Sequence, residues 1–598
     1  MVFSQITQPN SSYLTWTKFA YPHAENGPVP AFSVSMEWSR YIQSGYTMMA
    51  GLIVVNITAI FIASGLWIYL RGSRTGNRVN DISISLWNNR EATHMSVIDT
   101  LYYSRDALRK WWYYPLVTAL LGAWAASVLA GIFLPPKVFL GNAAPVNPTS
   151  IYVPLDMRYL NNSDEQLLFG TYALNVDPYL RAAGAAFIAT DDVRRQVELE
   201  KPISLGNWTG PDPVDRKKQR VEPIQRFNYG YNISGAKLGL QRLPKLQLRV
   251  MGSCMTDYTW FDATRAGGLY FDAYQSPWKK AGDLDTVSAS CPAPSARFKS
   301  QKLTIPPDHQ GNRSWAIIPS TVDRLSYTSS RDPWYSTKAF DKSEIARLNL
   351  TDTFGMNFIV APGRPVLSCW QSDLWYWGDE GSQKSSNIVN LQALVGKDLL
   401  SDAMVELLQR YFTAPVAYNL GFSLQGSALQ SSKTTVGKIF DAGASSIYKD
   451  LHYVILSSYI ATENTLTDTT LYSNQTTTGG VDKVNLPNLA FDASGKHPRP
   501  GVEEFVVFSN NVVALSLTTA VLIPVLTLGS WLLMHLMLGL TPLKMAAAME
   551  SVELFKAVKN HYGEPTVHLT EKGAPKWTFA LSRAEREHHG CGQSVSVP

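Results

Sequence analysis

The chain has 598 residues, with 53 Lys and Arg against 48 Asp and Glu and a formal net charge of +5. So small an excess, most of it in one short loop, gives no support for nucleic acid as a partner. Four cysteines cannot build a disulfide scaffold in a chain this long, and the mean hydropathy of −0.09 averages over three apolar runs that a soluble protein would not carry.

Residues 1–45 are polar and aromatic, with scattered Pro and Gly, and read as a short extracellular arm. They lack the basic and apolar regions of a cleavable signal peptide, so the first apolar run is expected to serve as the targeting signal. That run, Tyr46 to Leu70, carries no formal charge. At about 1.5 Å per residue it crosses a hydrocarbon layer of about 30 Å, which predicts transmembrane helix 1 over 46–70.

Residues 71–111 form a basic loop; between Arg71 and Lys110 there are seven Lys and Arg against four acids. A short basic loop between two spans is retained in the cytosol. Transmembrane helix 2 is predicted over 112–134. Arg109, Lys110 and the aromatic series Trp111 to Tyr114 suit the headgroup layer at its start, and Pro135 and Pro136 are expected to end it. Within it Gly122, Ala126 and Ala130 recur every four positions, a spacing that suits helix–helix association.

Residues 135–508 then face the outside or a lumen and read as a large α+β ectodomain. Strands are predicted at Lys245–Met251, Arg297–Ile305, Ser314–Ser320 and Gly355–Ala361. Helical spacing follows at Leu391, Leu394, Leu399, Met404, Leu407 and Leu408, and again at Ile447, Leu451, Val454 and Tyr459. Sequons at Asn10, Asn161, Asn207, Asn232, Asn312, Asn349 and Asn474 all fall in segments placed outside by this topology, which predicts a glycoprotein. A further one at Asn56 lies within the first span and is expected to stay unmodified. Cys254, Cys291 and Cys369 share the ectodomain, while Cys591 is in the tail. Pairing Cys254 with Cys291 closes the shortest loop and is the expected disulfide, with a stabilisation of about 3–4 kcal/mol in the loop-entropy model.

Transmembrane helix 3 is predicted over 511–540, kinked at Pro524, and leaves 541–598 as a cytosolic tail. The fold class is therefore a three-helix transmembrane anchor plus a large α+β extracellular or lumenal domain, with the N-terminus outside and the C-terminus cytosolic. A plasma-membrane or secretory-pathway location follows.

Catalytic chemistry is sparse. No nucleophile elbow, zinc-protease helix, P-loop or dinucleotide turn occurs. Asp283 and Asp285 have the D-x-D form that can hold a divalent cation, with a solvated turn as the plainer reading. Asp379 and Glu380 could supply acid/base groups. Asp191 and Asp192 fit a helix N-terminus, and His588, His589 and Cys591 could bind a metal through imidazole and thiolate, with a disordered chain end as the plainer reading. No cofactor or metal is implied.

The most distinctive stretch is PVLSCWQSDLWYW, Pro365 to Trp377. Trp375 and Trp377 would share one face of a strand with Tyr376 on the other. With Trp370 they make either an aromatic surface on which a sugar or sterol ring stacks, or a core layer beside a disulfide. Its L-S-C-W-Q run, Leu367 to Gln371, together with the span layout, resembles uncharacterised ectodomain-bearing integral membrane proteins of filamentous fungi; the resemblance implies a fungal source and no activity. Three functional readings follow. The ectodomain binds an unknown extracellular ligand or protein at the membrane face; or the chain is a membrane-bound enzyme acting on glycan, lipid or secreted substrate; or it is a structural subunit of a membrane complex.

Overall fold

The computed structural model describes residues 10–71, 113–153, 183–191, 201–210, 224–278, 284–288, 295–300, 312–339, 356–378, 383–471 and 488–540, with single positions and short stretches excepted, together with the strands of a hairpin near the C-terminus. It divides into two compact units, one comprising Met1–Met36 with Gly141–Ala514 and the other Glu37–Leu140 with Leu515–Pro598.

The first unit is sheet-rich. Val366–Trp377 buries Leu367, Cys369, Gln371, Asp373 and Trp375 on one side, while Trp370 stands out on the other. The side running from Leu367 to Trp375 is buried throughout, which demands a sheet with that face packed, whereas the other side mixes buried Val366 and Ser372 with exposed Trp370. The strand lies inside an antiparallel sheet of order Ser295–Ser300, Asn312–Ser320, Val366–Trp377, Gln247–Asp257, Ile224–Ser234, Ile203–Gly210, with Lys384–Ser386 pairing its far end. Ile224–Ser234 and Gln247–Asp257 largely alternate buried and exposed positions, so a one-residue slip would turn their packed side chains to solvent, whereas Asn312–Ser320 is buried on both faces.

Helices cover the packed face. Asp402–Phe412 puts Met404, Leu407, Leu408 and Phe412 into the core, and Val416–Leu424 adds Ala417 and Leu420. The helix Ile447–Asp468 is more deeply placed than its spacing suggests. An amphipathic helix with one apolar stripe is expected, but Ser457, Ser458, Thr462, Thr465 and Thr467 are buried as well as Leu451 and Val454. The hydroxyls of Ser458, Thr462 and Thr465 donate to the carbonyls of Val454, Ser458 and Ala461 at 2.7, 2.7 and 2.9 Å, and Ser457 Oγ shares a 2.8 Å hydrogen bond with Thr190 Oγ1. Back-bonding of this kind removes the cost of burying Ser and Thr, so apolar spacing alone understates the burial.

The predicted arm is structured. Lys18–His23 and Gly27–Ser35 form an antiparallel hairpin that continues into Val512–Ser516. Pairing consumes the first residues of the run predicted as span 3, whose Val512 to Leu515 read as apolar because the strand is buried.

Among the described residues of the second unit, three helices are long and apolar enough to cross a membrane, at Met36–Ser64, Leu121–Val138 and Leu517–Met537. The first helix begins ten residues before the predicted boundary and runs Met36–Arg71. Hydropathy registers only the stretch that lipid tolerates, whereas Glu37 in the first turn and the following residues suit a helix in water. The second runs Tyr113–Val138, past the proline pair expected to stop it; a proline removes only one donor and crowds one carbonyl a turn behind, which a last turn tolerates.

Polar groups tie these helices together. Tyr46 Oη donates to the Ala520 carbonyl at 2.8 Å, and Asn56 Nδ2 to Ser530 Oγ at 3.1 Å. Asn56 thus pairs two of these helices. Close packing uses Ser127, 3.7 Å from the Cβ position of Gly51, and Gly131, whose Cβ position lies 3.5 Å from Thr47. That stripe is one position away from Gly122, Ala126 and Ala130. Gly122 and Ala126 stay exposed, because a helix turns 100° per residue and the next position over faces the neighbours.

Candidate functional site

Among the described residues, one end of the open face of the large sheet is covered. Phe261–Gly267, Leu269–Gln275 and Leu284–Ser288 form a small antiparallel sheet, and Trp260 and Tyr274 beside it pack on Ala316, Ile318 and Val366. Asp272 fixes it there by accepting from the Gly363 and Arg364 backbone amides at 3.0–3.2 Å. Where this cap stops, Trp370, Met251 and Met255 of the sheet are exposed among the described residues.

A groove of ≈ 390 Å³ runs along that edge. Its floor is two rows of the sheet, Ser314–Trp370–Ser253 and Ser368–Met255–Arg226, each set by strand register. Its wall is Trp260, Pro277 and Trp278 from the cap. Trp260 meets Trp278 edge-on, with ring centroids 5.1 Å apart. Trp370 is 47% exposed, and Met251 and Met255 on the same open side are each 38% exposed. Asp257 is held in position by Thr259, whose amide and hydroxyl donate at 2.9 and 2.6 Å, and by Ser368 Oγ at 3.2 Å. The groove thus offers flat aromatic surface beside a cation, an anion and three serine hydroxyls, the mixture that recognises a ring bearing polar substituents.

Directly beneath, Cys254 and Cys369 face each other across adjacent strands and form a disulfide with Cα atoms 4.0 Å apart. This corrects the Cys254–Cys291 expectation. Loop length favours the nearer cysteine in an unfolded chain, but sheet register brings Cys369 opposite Cys254, and Cys291 lies outside the described residues.

The aromatic trio of the sequence is divided by the pleat. Trp375 is fully buried, edge-on to Phe412 at 5.5 Å, and Trp377 packs on the same core, so both belong to the helix side. Trp370 alone reaches the groove. Trp260, Trp278, Arg226 and Asp257 carry no sequence signal beyond isolated polar and aromatic residues near turns; only the folding of the cap against the sheet collects them.

The acids go elsewhere. Asp285 is buried against Lys299, with Nζ at 3.0 Å. Asp191 lies towards the end of the helical residues 183–191 and not at a helix start, and its carboxylate pairs with Lys433 at 2.6 Å. Asp283, Asp192, Asp379, Glu380, His588, His589 and Cys591 lie outside the described residues. Among the described residues no group of three His, Cys, Asp or Glu side chains converges to hold a metal. Of the sequons, Asn207 and Asn232 are exposed on strands of the large sheet; Asn10 starts a short turn of helix and Asn312 starts a strand, while Asn161, Asn349 and Asn474 lie outside the described residues.

Titration is perturbed on the helix side. Asp450, fully buried, accepts from the Tyr335 hydroxyl and from the Ser431 amide and hydroxyl at 2.9 and 2.8 Å. Desolvation outweighs these bonds and lifts its carboxyl to about 6. Asp332 is lifted to about 6 for the same reason, against amide bonds from Ile447 and Trp334 at 3.0 Å. Both pin loops to the buried helix, away from the groove.

No curated protein and no solved structure matches the chain. A family model matches residues 176–507, a span that takes in the large sheet, its cap and the buried helix. The chain belongs to the family described as Domain of unknown function (DUF8406).

Proposed function

We propose that this is a multi-pass membrane protein whose sheet-rich domain lies outside the cell or in a secretory lumen, carries N-glycans, and binds an extracellular glycan in the groove lined by Trp260, Trp278 and Trp370. The observation that carries the reading is Trp370: a large aromatic held by a disulfide-braced strand, yet 47% exposed beside two further tryptophans and fixed polar groups. An indole left in water on a rigid strand gains nothing for stability, and a sugar ring stacked on it would bury that surface. The basic loop Arg71 to Lys110 and the exposed Asn207 and Asn232 support the orientation.

The test uses the full-length protein in detergent, titrated with soluble β-glucan, chitin and mannan oligomers while tryptophan fluorescence is followed. Saturable binding by one class, weakened about tenfold or more in Trp370→Ala with unchanged thermal stability, is expected. If no oligomer binds, or if the variant binds as tightly as the parent, the glycan reading fails.

A further inference from the structure

A second cavity lies on the opposite side of the large sheet, among the helices. Val416–Leu424 and Ile447–Asp468 each present one face to it: Val416, Leu420 and Ser423 from the first, and Ala461, Thr465 and Asp468 from the second. Both sets follow helical spacing of three and four, so each is a single stripe. The cavity has a volume of ≈ 50 Å³, room for a few water-sized groups, and most of its lining is apolar.

Asp468 is anomalous in this setting. The residue is only 7% exposed, and among the described residues no donor reaches its carboxyl: Oδ1 is sealed without a hydrogen bond. Unlike Asp450, Asp332 and Asp272, it is held by no amide or hydroxyl among the described residues. Burial pushes its carboxyl well above the usual range. It is also the last residue of a 22-residue helix, whose carbonyl end disfavours a negative charge and favours a positive one. A methyl or amide group would be cheaper there for folding alone.

We propose that this cavity is a binding site for a small organic ammonium ion, with its apolar body against Val416, Leu420 and Ala461 and its charged head on the Asp468 carboxylate. The ammonium supplies the donor that Asp468 lacks and places positive charge at the helix C-terminus. Thr465 and Ser423 flank the head, and Ala183, Tyr411 and Asn419 complete the lining. The site is independent of the groove, because the sheet separates them.

The experiment measures thermal stabilisation of the full-length protein in detergent at neutral pH by methylamine and by methanol, its neutral counterpart, both small enough for a cavity of ≈ 50 Å³. Methylamine is expected to raise the melting temperature saturably. Its affinity should fall at least about thirtyfold in Asp468→Asn, while the response to methanol is the same in both proteins. Removal of an unpartnered buried acid should leave Asp468→Asn well folded. A second variant, Ala461→Leu, keeps the carboxyl and fills the cavity, and it too should abolish the amine response. Equal stabilisation by amine and alcohol, no stabilisation by the amine, or an amine response that survives in either variant would each overturn the proposal.

Discussion

Two tryptophans five positions apart on one strand meet opposite fates. Trp375 is sealed against Phe412 in the helix-side core, whereas Trp370 stands in the groove on the other side. The strand pleat accounts for the split, since odd and even positions point to opposite faces. The packed face is where stability resides, and the open face, braced from below by the Cys254–Cys369 bridge, is rigid without being filled. A site can therefore be both exposed and well positioned when the strand under it is anchored by its other face.

The comparison breaks most sharply under truncation. Trp375→Ala removes a wholly buried indole and should cost about 3–5 kcal/mol of stability, read by denaturant melts. Trp370→Ala should change stability by no more than about 0.5 kcal/mol while weakening ligand binding. Equal destabilisation by the two variants would refute the division into packed and open faces.

The bridge gives the next largest effect. It closes a loop with a sequence separation of 115, and the Cys254→Ala, Cys369→Ala double variant should lose about 2–5 kcal/mol. Mass mapping under non-reducing conditions should recover Cys254 and Cys369 in one linked peptide.

A pH titration isolates the helix side. Asp450 and Asp332 titrate near 6 in the folded protein and near 4 when unfolded, so the native state holds more protons between those values. Their contribution is complete below about pH 4 and is lost as pH rises through about 6, by on the order of 1–3 kcal/mol. Melting temperature should thus fall from pH 5 to pH 7, and Asp450→Asn should flatten that slope. A slope unchanged in this variant would remove Asp450 as its source.

The smallest expected effect on stability comes from the sequons. Asn207→Gln and Asn232→Gln, both at exposed positions, should each remove one glycosidase-sensitive mobility step and leave the melt within about 0.5 kcal/mol of the parent. Absence of any shift in a glycosylating host would invert or dismantle the proposed orientation.

Much of the fold was legible in the residues. The three apolar runs stand out because water penalises every uncharged stretch of that length, and the strands at Gln247–Asp257, Asn312–Ser320 and Phe358–Val360 overlap segments with period-two character. Helix ends were not legible, because Met36 to Gly45 is helical in residues that hydropathy does not register. The burial of Ile447–Asp468 was hidden by Ser and Thr that look polar: Ser458, Thr462 and Thr465 are satisfied within the helix and Ser457 by Thr190.

The site was legible only in part. Trp370 could be singled out within its aromatic run, but its separation from Trp375 and Trp377 depends on which face of the strand the helices cover. The cystine depends on register across some hundred residues, and Trp260, Trp278 and Asp257 reach the groove through the docking of the cap on Asp272. Local spacing and hydropathy, which act within a few turns of chain, determined the apolar helices and the alternating strands. Which cysteines meet, which tryptophan is left in water and which acid is buried without a partner were decided by tertiary packing, because each is a relation between segments that no local period encodes.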